Sequence, residues 1–337
     1  MLSKVSLTDI PLSCLQAVPH LSRTLPAEHI VASSTFYVGK QWEIWMPVGD
    51  TLVPMPATPV DAMYFGEGPA RPCDQLVAIF NLVAQRTLRR GGILSCFNGL
   101  ADDFQGLAAS ISKVDFFHRH RTESDCELSR FVQTEIEHML TRARSMYDLV
   151  NELLAEHLAK HLLDTDMQRP SQLPKSFAAV ALKGTAIVPA QQIASRYNIP
   201  EVFAECYCRH APEMQSLREM RDAVVHGGRS LQFVFSCERG FAVHRTAVQN
   251  IGFYTWPHGC ETETDLLPLR PLLLRIVLVV LAMMDDFAVT IASHLRQRED
   301  AAPGLRLYSR GPHYAALKDS HSAVANGRWD REPSGSA

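Results

Sequence analysis

The sequence lacks any hydrophobic run long enough to cross a bilayer. Its longest apolar stretch, Ile276 to Met284, is nine residues, flanked by Arg275 and by Asp285-Asp286, well short of the roughly 20 that a spanning helix needs. It reads as a core helix. The first 27 residues, interrupted by Asp9, Pro11, Pro19, His20 and Arg23, lack the continuous apolar core of a signal peptide, so a cytoplasmic protein is expected. Net charge is also scarce. At −3 over 337 residues there is no global basic field, and any contact with nucleic acid must come from a local patch.

The eight cysteines, at 14, 73, 96, 126, 206, 208, 237 and 260, never take Cys-x-x-Cys spacing, and a chain this large and apolar has no need of disulfides. Reduced thiols are expected. Cys206, Cys208 and His210 invite a metal, but no second ligand cluster with zinc-like spacing follows. Neither metal nor cofactor is expected. Gly66-Glu67-Gly68-Pro69 lacks the Lys-Ser/Thr that a phosphate-cradling loop requires, and no internal repeat stands out.

With 46% apolar and 20% charged residues, the chain can bury a sizeable core. Prolines at 11, 19, 26, 47, 54, 56, 59 and 69 exclude long helices from residues 1–70. There Thr35 to Met46 is the best strand, with Gly39-Lys40 as a hairpin turn. This extension either packs on a helical body or offers its two tryptophans, Trp42 and Trp45, as a platform.

From residue 73 the pattern turns helical. A first helix is expected over Cys73 to Arg90, stopped by Gly91-Gly92, and a less regular one over Ile93 to Phe117. The latter ends in Phe-Phe-His-Arg-His-Arg at 116–121, either a solvated loop or a phosphate contact. Glu127 to Leu163 has no Pro or Gly and repeats Val132, Ile136, Met139, Ala143, Met146, Val150 and Leu153 at helical spacing, which predicts the spine of a bundle. Glu135, His138 and Arg142 could line a cleft on another face.

A polar linker is expected over Asp164 to Pro174, then a helix over Phe177 to Tyr197 broken near Pro189. A further helix runs from Pro200 to about His210, and a separate one after Pro212. Leu231 to Phe235 and Phe241 to His244 read as a β-hairpin. Pro271 to Arg298 is a buried helix, and residues 301–337 read as a flexible tail.

The stretch that draws function is Leu217 to Gly228. Leu217, Met220, Val224 and Val225 form its apolar stripe, and Gly227-Gly228 end it. Arg221 and His226 are five residues apart, roughly 140° around an ideal helix. A single copy therefore does not aim both at one point: either the last turn unwinds or two copies meet. A histidine titrates near neutral pH and serves as general acid or base. An arginine fork matches phosphate oxygens.

Arg221, the polar Asp222 after it, and His226 four residues further on at the end of a helix resemble the signature of the HEPN superfamily, the higher eukaryotes and prokaryotes nucleotide-binding domain. The resemblance covers roughly residues 73–299. It implies a mainly α, HEPN-like helical bundle that dimerises with two motif copies facing a shared cleft. Around it would stand the irregular, partly β N-terminal extension, the small β-hairpin after the motif helix, and the tail. It further implies a metal-independent endoribonuclease in a defence or toxin–antitoxin setting, with RNA or a nucleotide, a second copy, and a cognate antitoxin or regulatory protein as partners. Some relatives of this kind are non-catalytic binding or assembly modules, and that alternative stands. So does the plain one, in which Arg221, Asp222 and His226 merely cap a helix of an unrelated bundle.

Overall fold

The computed structural model describes residues 10–11, 17–25, 33–87, 91–121, 128–158, 172–225, 234–237, 240–248, 254–256, 265–294 and 299–325. Strands come first: β1 (Ile10–Pro11), β2 (Thr35–Val38), β3 (Gln41–Val48), β4 (Thr51–Met55) and β5 (Ala62–Gly66). Next are α1 (Ala78–Leu82), a π-helical turn at Val83–Thr87, α2 (Gly91–Arg119) and α3 (Leu128–Leu158). The middle holds α4 (Phe177–Ala181), β6 (Leu182–Lys183), β7 (Ala186–Ile187), α5 (Ala190–Tyr197) and α6 (Glu201–Val225). Then follow β8 (Val234–Cys237), β9 (Gly240–His244), α7 (Arg245–Val248), β10 (Leu266–Pro268), α8 (Leu269–His294), β11 (Arg306–Arg310) and α9 (Tyr314–Ala325). The protein is mainly α.

The bundle forms because α3 buries one whole stripe. Val132, Ile136, Met139, Ala143, Met146, Val150 and Leu153 are all 0% exposed, each burial of such a side chain contributing about 1.5–3 kcal/mol before entropy. Helix α2 runs antiparallel to α3, its Ser110 and Lys113 meeting Glu135 and its Asp103 meeting Arg142. On the other side α6 also runs against α3, Tyr207 meeting Asn151. Helix α8, apolar on most of its circumference, fills the remaining side and buries Ile276, Val277, Val280, Met283 and Met284. No helix of the described residues is long and apolar enough to cross a membrane.

The proline-rich beginning makes a six-stranded sheet in the order β1-β4-β3-β2-β5-β11. Gly39 and Lys40 both take positive φ, 56° and 63°, the conformation of a two-residue hairpin turn whose twist suits the flanking strands. Phe36 and Phe65 stack on the core face at 6.0 Å. The opposite face carries Tyr37, Trp42, Tyr64 and Tyr308 in ring contact.

Several elements differ from the sequence reading. The expected flexible tail is ordered over 301–325. Strand β11 pairs with β5 from Arg306↔Gly66 to Arg310↔Ala62, and Ala301, Ala302, Leu307, Tyr314 and Leu317 are buried. The buried Gln85 amide holds this segment by donating to the carbonyls of Ala302 and Leu305 and accepting from the Ala302 N–H. The N-terminal extension is therefore completed by the C-terminal part rather than standing apart. The same strand shortens the first helix, since Gln75 exchanges backbone hydrogen bonds with Ser309 at 2.8 Å in both directions, and this keeps the chain extended until Ala78.

Gly91-Gly92 do not stop a helix but begin α2. The Glu156 side chain lies beside Gly92, and a carboxylate there suits the positive end of the helix. Phe177 to Tyr197 is broken not at Pro189 alone but by the β6–β7 hairpin around Gly184, φ 68°. Pro212 separates nothing. Helix α6 is continuous through it, with the proline on the exposed side and Ala211 and Met214 fully buried on the other. Burial on the inner face outweighs the roughly 3 kcal/mol that an interior proline costs. The hairpin after α6 is present as β8–β9, joined by a third strand, β10.

Candidate functional site

The last turns of α6 bury Leu217 and Met220 completely and turn Arg218, Arg221 and Asp222 outward. The Arg221 Nη1 donates to Asp222 Oδ1 at 3.2 Å, and the Arg218 Nε lies 3.9 Å from Asp222 Oδ2. Side-chain exposures of 27% for Arg221 and 46% for Asp222 leave both in contact with solvent. Asp222 is the sole hydrogen-bond acceptor of the Arg221 guanidinium among the described residues. Arg221 and Asp222 are brought together. His226, with Gly227-Gly228, lies outside the described residues.

The other candidates resolve into structural ties. Glu135 is 6% exposed and accepts from Ser110 Oγ at 2.7 Å and Lys113 Nζ at 2.9 Å, with His138 Nδ1 at 4.0 Å, while Arg142 reaches back to Asp103 at 3.1 Å. They lock α2 to α3 and do not line a common cleft. Cys206 Sγ meets Thr290 Oγ1 at 3.1 Å, and Cys208 donates to the Val188 carbonyl. Burial pushes both thiols up, Cys206 to about 11. Among the described residues no cluster of three His, Cys, Asp or Glu could hold a metal ion. Trp45 is buried, while Trp42 lies between Tyr37 and Tyr64 with the Arg310 guanidinium 5.0 Å over its ring.

No family model, no curated protein and no solved structure matches the chain. The likeness to the HEPN superfamily thus rests on the sequence pattern of Arg221, Asp222 and His226.

The sequence reading missed the ion cluster that pins α6 to α8. Asp286 accepts from Arg209 Nη1 and, at 2.9 Å, pairs with His210 Nε2. Burial opposes its charge, but the bonds from His210 and Arg209 prevail and hold its carboxyl below the usual range. The signal was available, since Asp285-Asp286 close an apolar run and a carboxylate entering a core needs a cation. One further group along α6, Glu213 meets Arg275 of α8 at 3.7 Å beside the sealed hydroxyl of Tyr147, which has no hydrogen-bond partner among the described residues.

Proposed function

We propose that the chain is a metal-independent endoribonuclease of HEPN type, with Arg221, Asp222 and His226 of two copies meeting in a homodimer cleft and acting in a defence or toxin–antitoxin setting. The observation that supports it is the Arg221 guanidinium, held by Asp222 on the outward side of α6 and 27% exposed, where a phosphate can reach it. Such a fork engages two oxygens of one phosphoryl group. The carbonyl end of α6 favours a protonated imidazole, so His226 suits the role of acid, and the second copy's His226 that of base. The base removes the 2′-hydroxyl proton, the resulting oxygen attacks phosphorus, and the bond to the 5′-oxygen breaks as that oxygen takes the acid's proton. The products are a 2′,3′-cyclic phosphate and a 5′-hydroxyl.

The test is RNA cleavage in EDTA by the purified protein and by His226→Ala. The expected outcome is a loss of at least 10²-fold, the contribution of one acid–base group, with unchanged circular dichroism. Cleavage at the unaltered rate removes His226 from the chemistry. One observation favours a second reading, a non-catalytic nucleotide-binding or interaction module: Asp222 already meets both Arg218 and Arg221, an arrangement that also suits a helix tie. In that case pure protein turns over no RNA, while Arg221→Ala weakens nucleotide binding.

A further inference from the structure

The described residues expose three phenylalanines prominently: Phe116 at 50%, Phe131 at 47% and Phe235 at 39%. All three lie at one end of the bundle. Phe116 is on the last turns of α2, Phe131 on the first turn of α3, and Phe235 on β8. That strand is tied to both helices, because the Val234 N–H donates to Ser129 Oγ and His118 Nε2 bonds the Cys237 carbonyl at 2.8 Å. The other large exposed apolar residues are aliphatic and lie on other elements.

The rings form a connected row. His120 lies over Phe116 with centroids 4.1 Å apart, Phe116 touches Phe117, and Phe117 meets Phe131 at 5.7 Å and 30°. The imidazole is fixed there by a 2.9 Å bond from Nδ1 to the Phe116 carbonyl. Around the row stand Arg119, Arg121 and Arg130. Arg119 and Arg121 are braced by the backbone carbonyls of Asp115 and His118. Among the described residues none of the three has a carboxylate partner, unlike Arg142, Arg209, Arg245 and Arg270.

A contiguous patch of water-exposed rings marks a surface that something covers. Rings interleaved with guanidinium groups that have no carboxylate partner among the described residues match a polyanion with planar bases. We infer that this surface is a docking platform for single-stranded RNA. Bases stack on the His120–Phe116 pair and on Phe131, and phosphates meet Arg119 and Arg130. Tyr207 meets Asn151 and Glu213 faces Tyr147, so α6 runs antiparallel to α3 and Arg221 and Asp222 lie toward the end of α3 that carries Phe131; a strand held there extends toward them. The choice of RNA rests on the ribonuclease reading above, whereas the stacking does not. In sequence, residues 116–131 hold as many carboxylates (Glu123, Asp125, Glu127) as arginines, so binding leans on stacking and its salt dependence is shallow.

The test uses His226→Ala protein, which removes turnover, and fluorescence anisotropy with a labelled twelve-residue oligoadenylate and with a duplex of equal length. Adding Phe116→Ala or Phe131→Ala is expected to weaken single-strand binding about tenfold for each ring, to leave the weak duplex binding alone, and to leave the helical signal intact. Phe116→Tyr, which keeps the ring, retains binding. The inference is overturned if the parent protein fails to bind the single strand, or if both alanine variants bind it equally well. It is also overturned if the variants lose only a dimer in sedimentation, since a second copy then covers the surface. Failure of cleavage alone would sink the chemistry at His226 and leave this binding untouched.

Discussion

Tyr147 and Tyr207 are both 0% exposed and both pack against Phe177, with ring centroids at 5.0 and 4.9 Å, yet the same substitution should move stability in opposite directions. The Tyr207 hydroxyl donates to Asn151 Oδ1 at 2.6 Å, and the Asn151 amide donates in turn to the carbonyls of Pro174 and Lys175 at 2.8 and 3.0 Å. Tyr207→Phe leaves the Asn151 oxygen buried without a donor, a loss of about 1–3 kcal/mol. The Tyr147 hydroxyl has no such partner. Its desolvation is already unpaid, so Tyr147→Phe should stabilise by roughly 1 kcal/mol, the vacated oxygen leaving only a small void. The two variants should therefore differ by roughly 2–4 kcal/mol. Unfolding entropy of roughly 2 cal/mol/K per residue makes a chain of 337 residues move only about 1.5 °C per kcal/mol. Urea titration, read as a shift of midpoint at constant slope, is thus the sharper assay. A fall in stability for Tyr147→Phe as large as that for Tyr207→Phe would refute the reasoning. It would mean that the hydroxyl reaches a bond, and Glu213 Oε2, itself sealed and unpartnered, would be the group to examine by a double-mutant cycle.

Two more outcomes are expected on the fold. Since the Asp286 carboxyl is held below its ordinary value of 3.8, its contribution is present in full above that value and is lost as pH falls through the lower folded-state one. Asp286→Asn should therefore flatten the acid limb of urea midpoints measured from pH 7 down to 3; an unchanged limb would remove Arg209 and His210 as its cause. Gln85→Ala deletes three hydrogen bonds to the segment at 302–305, a loss of roughly 2–4 kcal/mol at about 1 kcal/mol each plus the stranded groups. Limited proteolysis near residue 300 should accelerate, and equal resistance would show that β11 holds without it.

How much was legible depends on how far each signal reaches. The buried face of α3 was readable because every residue that makes it, from Val132 to Leu153, repeats within the helix itself. Gly91-Gly92 were misjudged because a double glycine marks an interruption without saying on which side the helix lies. The helix that follows them packs along α3, where Gly92 meets Glu156 more than 60 residues later. Pro212 looked like a boundary since its penalty is local while the burial that overrides it comes from α3 and α8. Residues 301–325 looked featureless because Leu307 and Tyr308 acquire their meaning only beside Phe65 and Tyr64. At the candidate site, Arg221 and Asp222 were legible as neighbours. The basic stretch at 116–121 was noticed for its charge, but the row of rings was not, because Phe131 joins it from the next helix.

Strand β11 also sets the order in which the chain matures on the ribosome. Leu307 pairs with Phe65, so the outer flank of β5 waits for a partner translated roughly 240 residues later, or about 12–50 s at 5–20 residues per second. Through that interval β5 presents an unsatisfied ladder, the kind of edge on which neighbouring nascent chains can zip together. The sheet made first is thus the one sealed last, and a chain cut short before Arg306 is left with β5 lacking its outer partner.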